Sequence, residues 1–296
     1  MNDQARLLRK QIEMHRDQKD TIKEPEKEAK TLAVVSGKGG VGKSNFSLNF
    51  SLALQKQGNK VLLFDLDIGM ANIDILMGTT QKYNIVHLFE EGRTLAEIIQ
   101  KGPENLSYIA GGSGLTDIFK LNDDKQRFFL SQLAEVSAEY DYIIFDMGAG
   151  ITSDSLQLLL SVDEIFLLTT CEPTSITDAY SALKHINIHN RSIPFYLILN
   201  KVPDRKTAIK SAERIKTVAQ NFLTKDLTHL GSIPDDRFVL RAVMEQTPFI
   251  LGYPNCLASK AIFQLSFLYE EGKRMSDKST QQRKPSFVAK LFRLLS

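Results

Sequence analysis

The octapeptide Gly37-Lys38-Gly39-Gly40-Val41-Gly42-Lys43-Ser44 has the spacing G-x-x-x-x-G-K-[ST], that of a loop that cradles phosphates. Its glycines leave backbone N–H groups free to converge on phosphate oxygens. An apolar, β-branched run (residues 31–36) precedes it, and a helical pattern (Phe46, Leu48, Phe50, Leu52, Leu54) follows. Strand, loop and helix are the context that makes such a loop a binding site, and the helix N-terminus adds its positive dipole end. Lys43 would reach the β- and γ-phosphates, and the Ser44 hydroxyl would bind Mg²⁺. The nucleotide-binding segment thus comprises Gly37, Lys38, Gly39, Gly40, Val41, Gly42, Lys43, Ser44 and Asn45.

Carboxylates supply the rest of the chemistry. Asp65 and Asp67 leave the end of an apolar run, Val61-Leu62-Leu63-Phe64, where packing alone rarely calls for two acids. A second run, Tyr142-Ile143-Ile144-Phe145, ends in Asp146, the pattern of a carboxylate that contacts Mg²⁺ through water. Gly148 and Gly150 after it permit a mobile turn able to sense a γ-phosphate. Asn200 also stands at a strand end. The guanine-reading pattern N-K-x-D fails at Pro203, which favours ATP over GTP.

The elements that must hold these residues follow from the pattern. Apolar runs at 31–36, 60–65, 105–110, 141–146, 164–169, 192–200 and 228–233 alternate with helical segments. Little polar alternation within them predicts strands buried on both faces. The fold class is α/β, a doubly wound and mainly parallel sheet with ligands at the carboxyl ends of its strands. The expected organisation is a charged arm (1–30), one nucleotide-binding domain (31–272, its last helix over about 255–271), a polar linker (273–284) and a short terminal element (285–296).

The chain has 296 residues and a net charge of +2, with seven Lys/Arg against two acids in residues 271–296. The body is therefore mildly acidic, which argues against broad nucleic-acid coating. Cys171 and Cys256 form no C-x-x-C pair, as in a reducing compartment. The start lacks a signal-peptide pattern and no apolar run could span a bilayer. In helical projection Phe287, Val288, Leu291, Phe292, Leu294 and Leu295 share one arc, with Lys290 and Arg293 opposite. Such a short basic amphipathic helix suits an anionic membrane surface, or a groove on its own domain. In the arm, Ala5, Leu8 and Ile12 share a helical face fit for a partner.

With Lys38 at its second position, the loop resembles the deviant Walker A box of the MinD/ParA family. The resemblance implies an ATP-sandwich homodimer with Lys38 reaching the partner's phosphates. It also implies that Asp67 positions the attacking water, with Lys38 and Lys43 as catalytic partners. Asp65 would support the Mg²⁺ shell beside Ser44 and Asp146, and Asn200, Pro234 and Asp235 would hold adenine. The segments Asp65-Leu66-Asp67-Ile68-Gly69-Met70-Ala71-Asn72 and Cys171-Glu172-Pro173-Thr174-Ser175-Ile176-Thr177-Asp178-Ala179-Tyr180 narrow the resemblance to the FlhG (FleN/YlxH) flagellar-number regulators. The N-terminal match to D-Q-A-x-x-L-R is the most discriminating. It implies that Asp3, Gln4, Ala5, Leu8 and Arg9 engage the GTPase FlhF. Flagellar C-ring proteins of the FliM/FliY type are further implied partners. The expected cofactors are ATP/ADP and Mg²⁺, and no specific nucleic acid is expected. The expected location is cytoplasmic, with reversible attachment to the inner face of the cell membrane. A MinD-type division ATPase and a ParA-like DNA-partition ATPase are the alternatives.

Overall fold

The computed structural model describes residues 28–67, 72–80, 82–111, 123–277 and 285–295. The arm residues Asp3, Gln4, Ala5, Leu8 and Arg9 lie outside them. The first half comprises β1 (Lys30–Val35), α1 (Lys43–Lys56), β2 (Val61–Leu66), α2 (Ile73–Met77), α3 (Ile85–Glu90), α4 (Leu95–Ile98), β3 (Gln100–Lys101), β4 (Ser107–Ile109), α5 (Asp123–Ser137) and β5 (Tyr142–Met147). The second comprises α6 (Ser153–Ser161), β6 (Glu164–Thr169), α7 (Pro173–His189), β7 (Phe195–Val202), α8 (Arg205–Leu223), β8 (Thr228–Pro234), α9 (Arg237–Met244), α10 (Phe249–Gly252), α11 (Leu257–Asp277) and α12 (Phe287–Leu295).

The strands form one sheet in the order β3-β4-β2-β5-β1-β6-β7-β8, parallel except for β3 against β4. The central strands read as unbroken apolar runs because helices cover both faces, and β2, β5 and β6 are buried along their whole length. On one face Phe64, Phe145 and Phe195 pack under α5, α6, α7 and α8. On the other, Phe50 and Tyr269 of α1 and α11 each meet Phe166 of β6 edge-on, with centroids 5.2 Å apart. This layering fixes β1 at the centre and delivers its carboxyl end, the glycine loop, between β5 and β6.

The structure differs from the sequence reading at three places. An edge strand, β3, precedes β4, and it is only two residues long. The last domain helix runs to Asp277 rather than 271, so the first part of the expected linker is helical. Lys273 explains the extension, because its ammonium sits 4.3 Å above the Tyr142 ring and donates to the Tyr142 hydroxyl at 2.9 Å. The terminal helix α12 forms as expected, with Ser286 accepting the Ala289 N–H, but half of its apolar arc is covered. Phe287, Val288 and Leu291 are buried in the domain core against α5 and α6, where exposure would cost about 1.5–3 kcal/mol for each such side chain.

Candidate functional site

The loop after β1 has the shape its glycines permit. Gly42 adopts φ 96°, and a Cβ there would lie 2.5 Å from the Asn200 amide nitrogen. A Cβ on Gly37 would lie 1.9 Å from the Asp178 carbonyl oxygen, so α7 can press against the loop only at a glycine. Lys43 begins α1 and is buried, whereas the Lys38 side chain is 46% exposed and its ammonium pairs with Glu172 at 3.5 Å. The two lysines of one motif therefore differ in exposure and in partner.

Two strand ends bring the acids to the loop. In the parallel register Asp65 of β2 lies beside Asp146 of β5. Asp146 accepts the Ser47 hydroxyl at 2.8 Å through Oδ1 and also bonds the Ser44 hydroxyl. Burial pushes its carboxyl up to about 6 despite those bonds and Lys43. Its Oδ2 is buried without a hydrogen-bond partner. A buried acceptor without a donor, next to a hydroxyl and a second carboxylate, fits a hard divalent cation. Ser44, Asp65 and Asp146 would hold Mg²⁺ here. Burial and the Asp146 charge push Asp65 up to about 7. Asp65 is also tied to the backbone: its carboxylate accepts N–H groups from Asp67 (3.0 Å), Asn72 (3.2 Å) and Ile73 (3.4 Å). It thus anchors the turn that carries Asp67, a duty the sequence reading did not assign. Asp67 Oδ1 lies toward Gly148, where a Cβ would approach it to 3.3 Å.

The residues expected at the base divide their duties differently. Asn200 donates its amide to the Val41 carbonyl at 2.7 Å, and Lys201 donates to the Gly40 carbonyl at 3.0 Å. The end of β7 therefore braces the phosphate loop. Lys201 takes φ 52°, a conformation that places its ammonium under the loop. Sequence reasoning missed it, although the dipeptide Asn200-Lys201 was the available signal. Pro234 ends β8, and the Asp235 N–H is held by the Val202 carbonyl at 2.9 Å, so the turn sits against the same strand end. Asp236, rather than Asp235, caps α9 through the Phe238 N–H and also accepts from Ala258.

At the opposite end of β1, α12 is latched electrostatically. Lys290 donates to Asp163 at 2.8 Å, and Asp163 also accepts the Thr31 N–H and hydroxyl. Burial opposes the Asp163 charge, yet Lys290 and Thr31 together hold its carboxyl below the usual range. The Val288 N–H lies 3.5 Å from Glu28, at the root of the arm. Of the residues assigned to a membrane, Arg293 and Leu294 are exposed, Phe292 is 37% exposed, and Leu295 is half-buried. Among the described residues no helix is long and apolar enough to cross a membrane.

A family profile described as an AAA domain matches residues 29–194. The flagellum site-determining protein YlxH of Helicobacter pylori is 37% identical over 243 residues, covering 81% of this chain and 81% of that protein. The antiactivator FleN of Pseudomonas aeruginosa is 31% identical over 230 residues, covering 78% and 82%. Among solved structures, the septum site-determining protein MinD of Pyrococcus horikoshii, complexed with Mg-ADP, matches with a TM-score of 0.67. It is 23% identical and covers 86% of this chain and 100% of that one, a likeness of fold.

Proposed function

The chain belongs to the MinD/ParA family of deviant Walker A ATPases, in its FlhG (FleN/YlxH) branch, and from that premise we propose that it is a nucleotide-driven switch regulating flagellar number and placement. Its reaction is Mg²⁺-dependent hydrolysis of ATP. Bound Mg²⁺ supplies charge neutralisation at the β- and γ-phosphates. The loop N–H groups and Lys43 bind those phosphates, Asp67 orients the attacking water, and Ser44, Asp65 and Asp146 hold the ion. Asn200, Pro234 and Asp235 border adenine, with Asn200 also fixing the loop.

One observation carries the switch: the Lys38 side chain is 46% exposed and rests on an exposed glutamate. A cation so placed is available to a second copy, where it would stabilise transition-state charge as an arginine finger does. ATP then joins two chains. Dimerisation releases α12 from its groove, and two such helices attach the dimer to the inner face of the cell membrane through avidity. Hydrolysis returns the docked, cytoplasmic monomer. The arm (residues 1–30) stimulates FlhF, and C-ring proteins of the FliM/FliY type are the second class of partner.

The test is GTP hydrolysis by an FlhF-type GTPase, with the full chain, with a peptide of residues 1–30, and with its Gln4→Ala version. Stimulation by chain and peptide, lost on Gln4→Ala, is expected. No stimulation by either would overturn the flagellar assignment and favour a division-site ATPase, to which the MinD likeness would then point.

A further inference from the structure

Asn72 immediately precedes α2, where an asparagine ordinarily turns its side-chain oxygen onto the N–H groups of the first turn. Here it makes no such cap. The N–H groups of Asn72 and Ile73 are taken by Asp65 of β2, and the Ile75 N–H is taken by the Asp74 carboxylate at 2.9 Å. The Asn72 side chain is thereby released for another use, and its Nδ2 donates to Asp67 Oδ2 at 2.9 Å. An amide turned the other way would set oxygen against carboxylate, so chemistry dictates this orientation.

The consequence is that the two oxygens of Asp67 are no longer equivalent. Oδ2 is occupied by the amide, and Oδ1 lies toward Gly148, the first residue after β5 and two residues beyond Asp146. The Asp67 N–H is meanwhile pinned to Asp65 Oδ1 at 3.0 Å. Backbone and carboxylate are both restrained, which fixes the side chain's direction. We propose that Asn72 is a positioning residue for hydrolysis, holding Asp67 with Oδ1 presented to the attacking water. This rests on the reading of Asp67 as the residue that orients that water. A misplacement of about 1 Å in such a group can lower a rate about 10²-fold without weakening substrate binding.

The experiment compares the full chain with Asn72→Asp, Asn72→Ala and Asp67→Ala. Asn72→Asp keeps the shape and the backbone N–H bond to Asp65, but as a carboxylate it cannot donate to Asp67. Steady-state ATPase, Mg-ADP affinity by fluorescence titration and the thermal unfolding midpoint are read for each. The expected result is a kcat about 10²-fold lower in both Asn72 variants, with KM for ATP and Mg-ADP affinity within about 2-fold and an unchanged midpoint. A merely structural role would instead move affinity and midpoint together with kcat, and that outcome overturns the inference. So does undiminished kcat in the Asn72 variants while Asp67→Ala is inactive. Normal turnover by Asp67→Ala would overturn the assignment of Asp67 itself, and the inference with it.

Discussion

Asp65 and Asp146 sit side by side on neighbouring strands, and both carboxyls are pushed up, to about 7 and about 6, first by burial. Their folded values exceed those of the unfolded chain, so the stability they contribute is complete at low pH and is lost as pH rises through those values. In the proposed role the same pair would have to ionise to hold Mg²⁺. Adding Mg²⁺ to the ADP-loaded protein should therefore expel protons near about pH 6 and far fewer near about pH 8. Calorimetry in buffers of different ionisation heat measures that release, and Asp65→Asn should lose most of it; identical heats in all buffers would refute the coupling. The phosphate loop and the placing of Asp65 and Asp146 at the ends of apolar strands were legible in the sequence, because the loop's spacing and the apolar runs are local patterns. Lys201, Asn72 and the bracing duty of Asn200 were not, since each depends on which strand end lies beside which loop.

At the scale of elements, α12 is the part whose surroundings the structure defines most. Its amphipathic pattern was legible, but periodicity cannot distinguish an apolar face meant for lipid from one meant for a groove. The groove comes from α5 and α6, both remote in sequence, and the Phe287 ring meets Phe145 of β5 at 5.3 Å. The Lys290–Asp163 bond at 2.8 Å adds a charged latch that joins the helix to Thr31 of β1. Leu291→Glu should undock the helix, because a carboxylate cannot replace a leucine that is 1% exposed. Protease cleavage in residues 278–284 should then accelerate at least about 10-fold without nucleotide, the analogue of a local opening about 1.4 kcal/mol cheaper. Lys290→Ala should give a smaller acceleration, and unchanged cleavage in both variants would show that the helix is not held by this groove. The longer α11 illustrates the same limit: Gly272 reads as a boundary, while Lys273 on Tyr142 carries the helix past it.

For the whole molecule, the central β1 connects the two ends that a switch must couple. Its carboxyl end opens into the phosphate loop, and its start, through Thr31 and Asp163, lies against the docked helix. The doubly wound class was readable because apolar strands and helices alternate so regularly. The proposed dimer is not readable from composition and rests on a single lysine whose neighbour, Glu172, is brought to it by the start of α7. The most direct test is light scattering together with sedimentation on anionic vesicles, for Asp67→Ala and for Asp67→Ala combined with Lys38→Ala, in ATP and in ADP. In ATP the first should be a dimer that pellets with vesicles, and the second a monomer that stays in the supernatant; in ADP neither should pellet. A Lys38→Ala protein that dimerises and pellets in ATP as well as its parent would contradict the account.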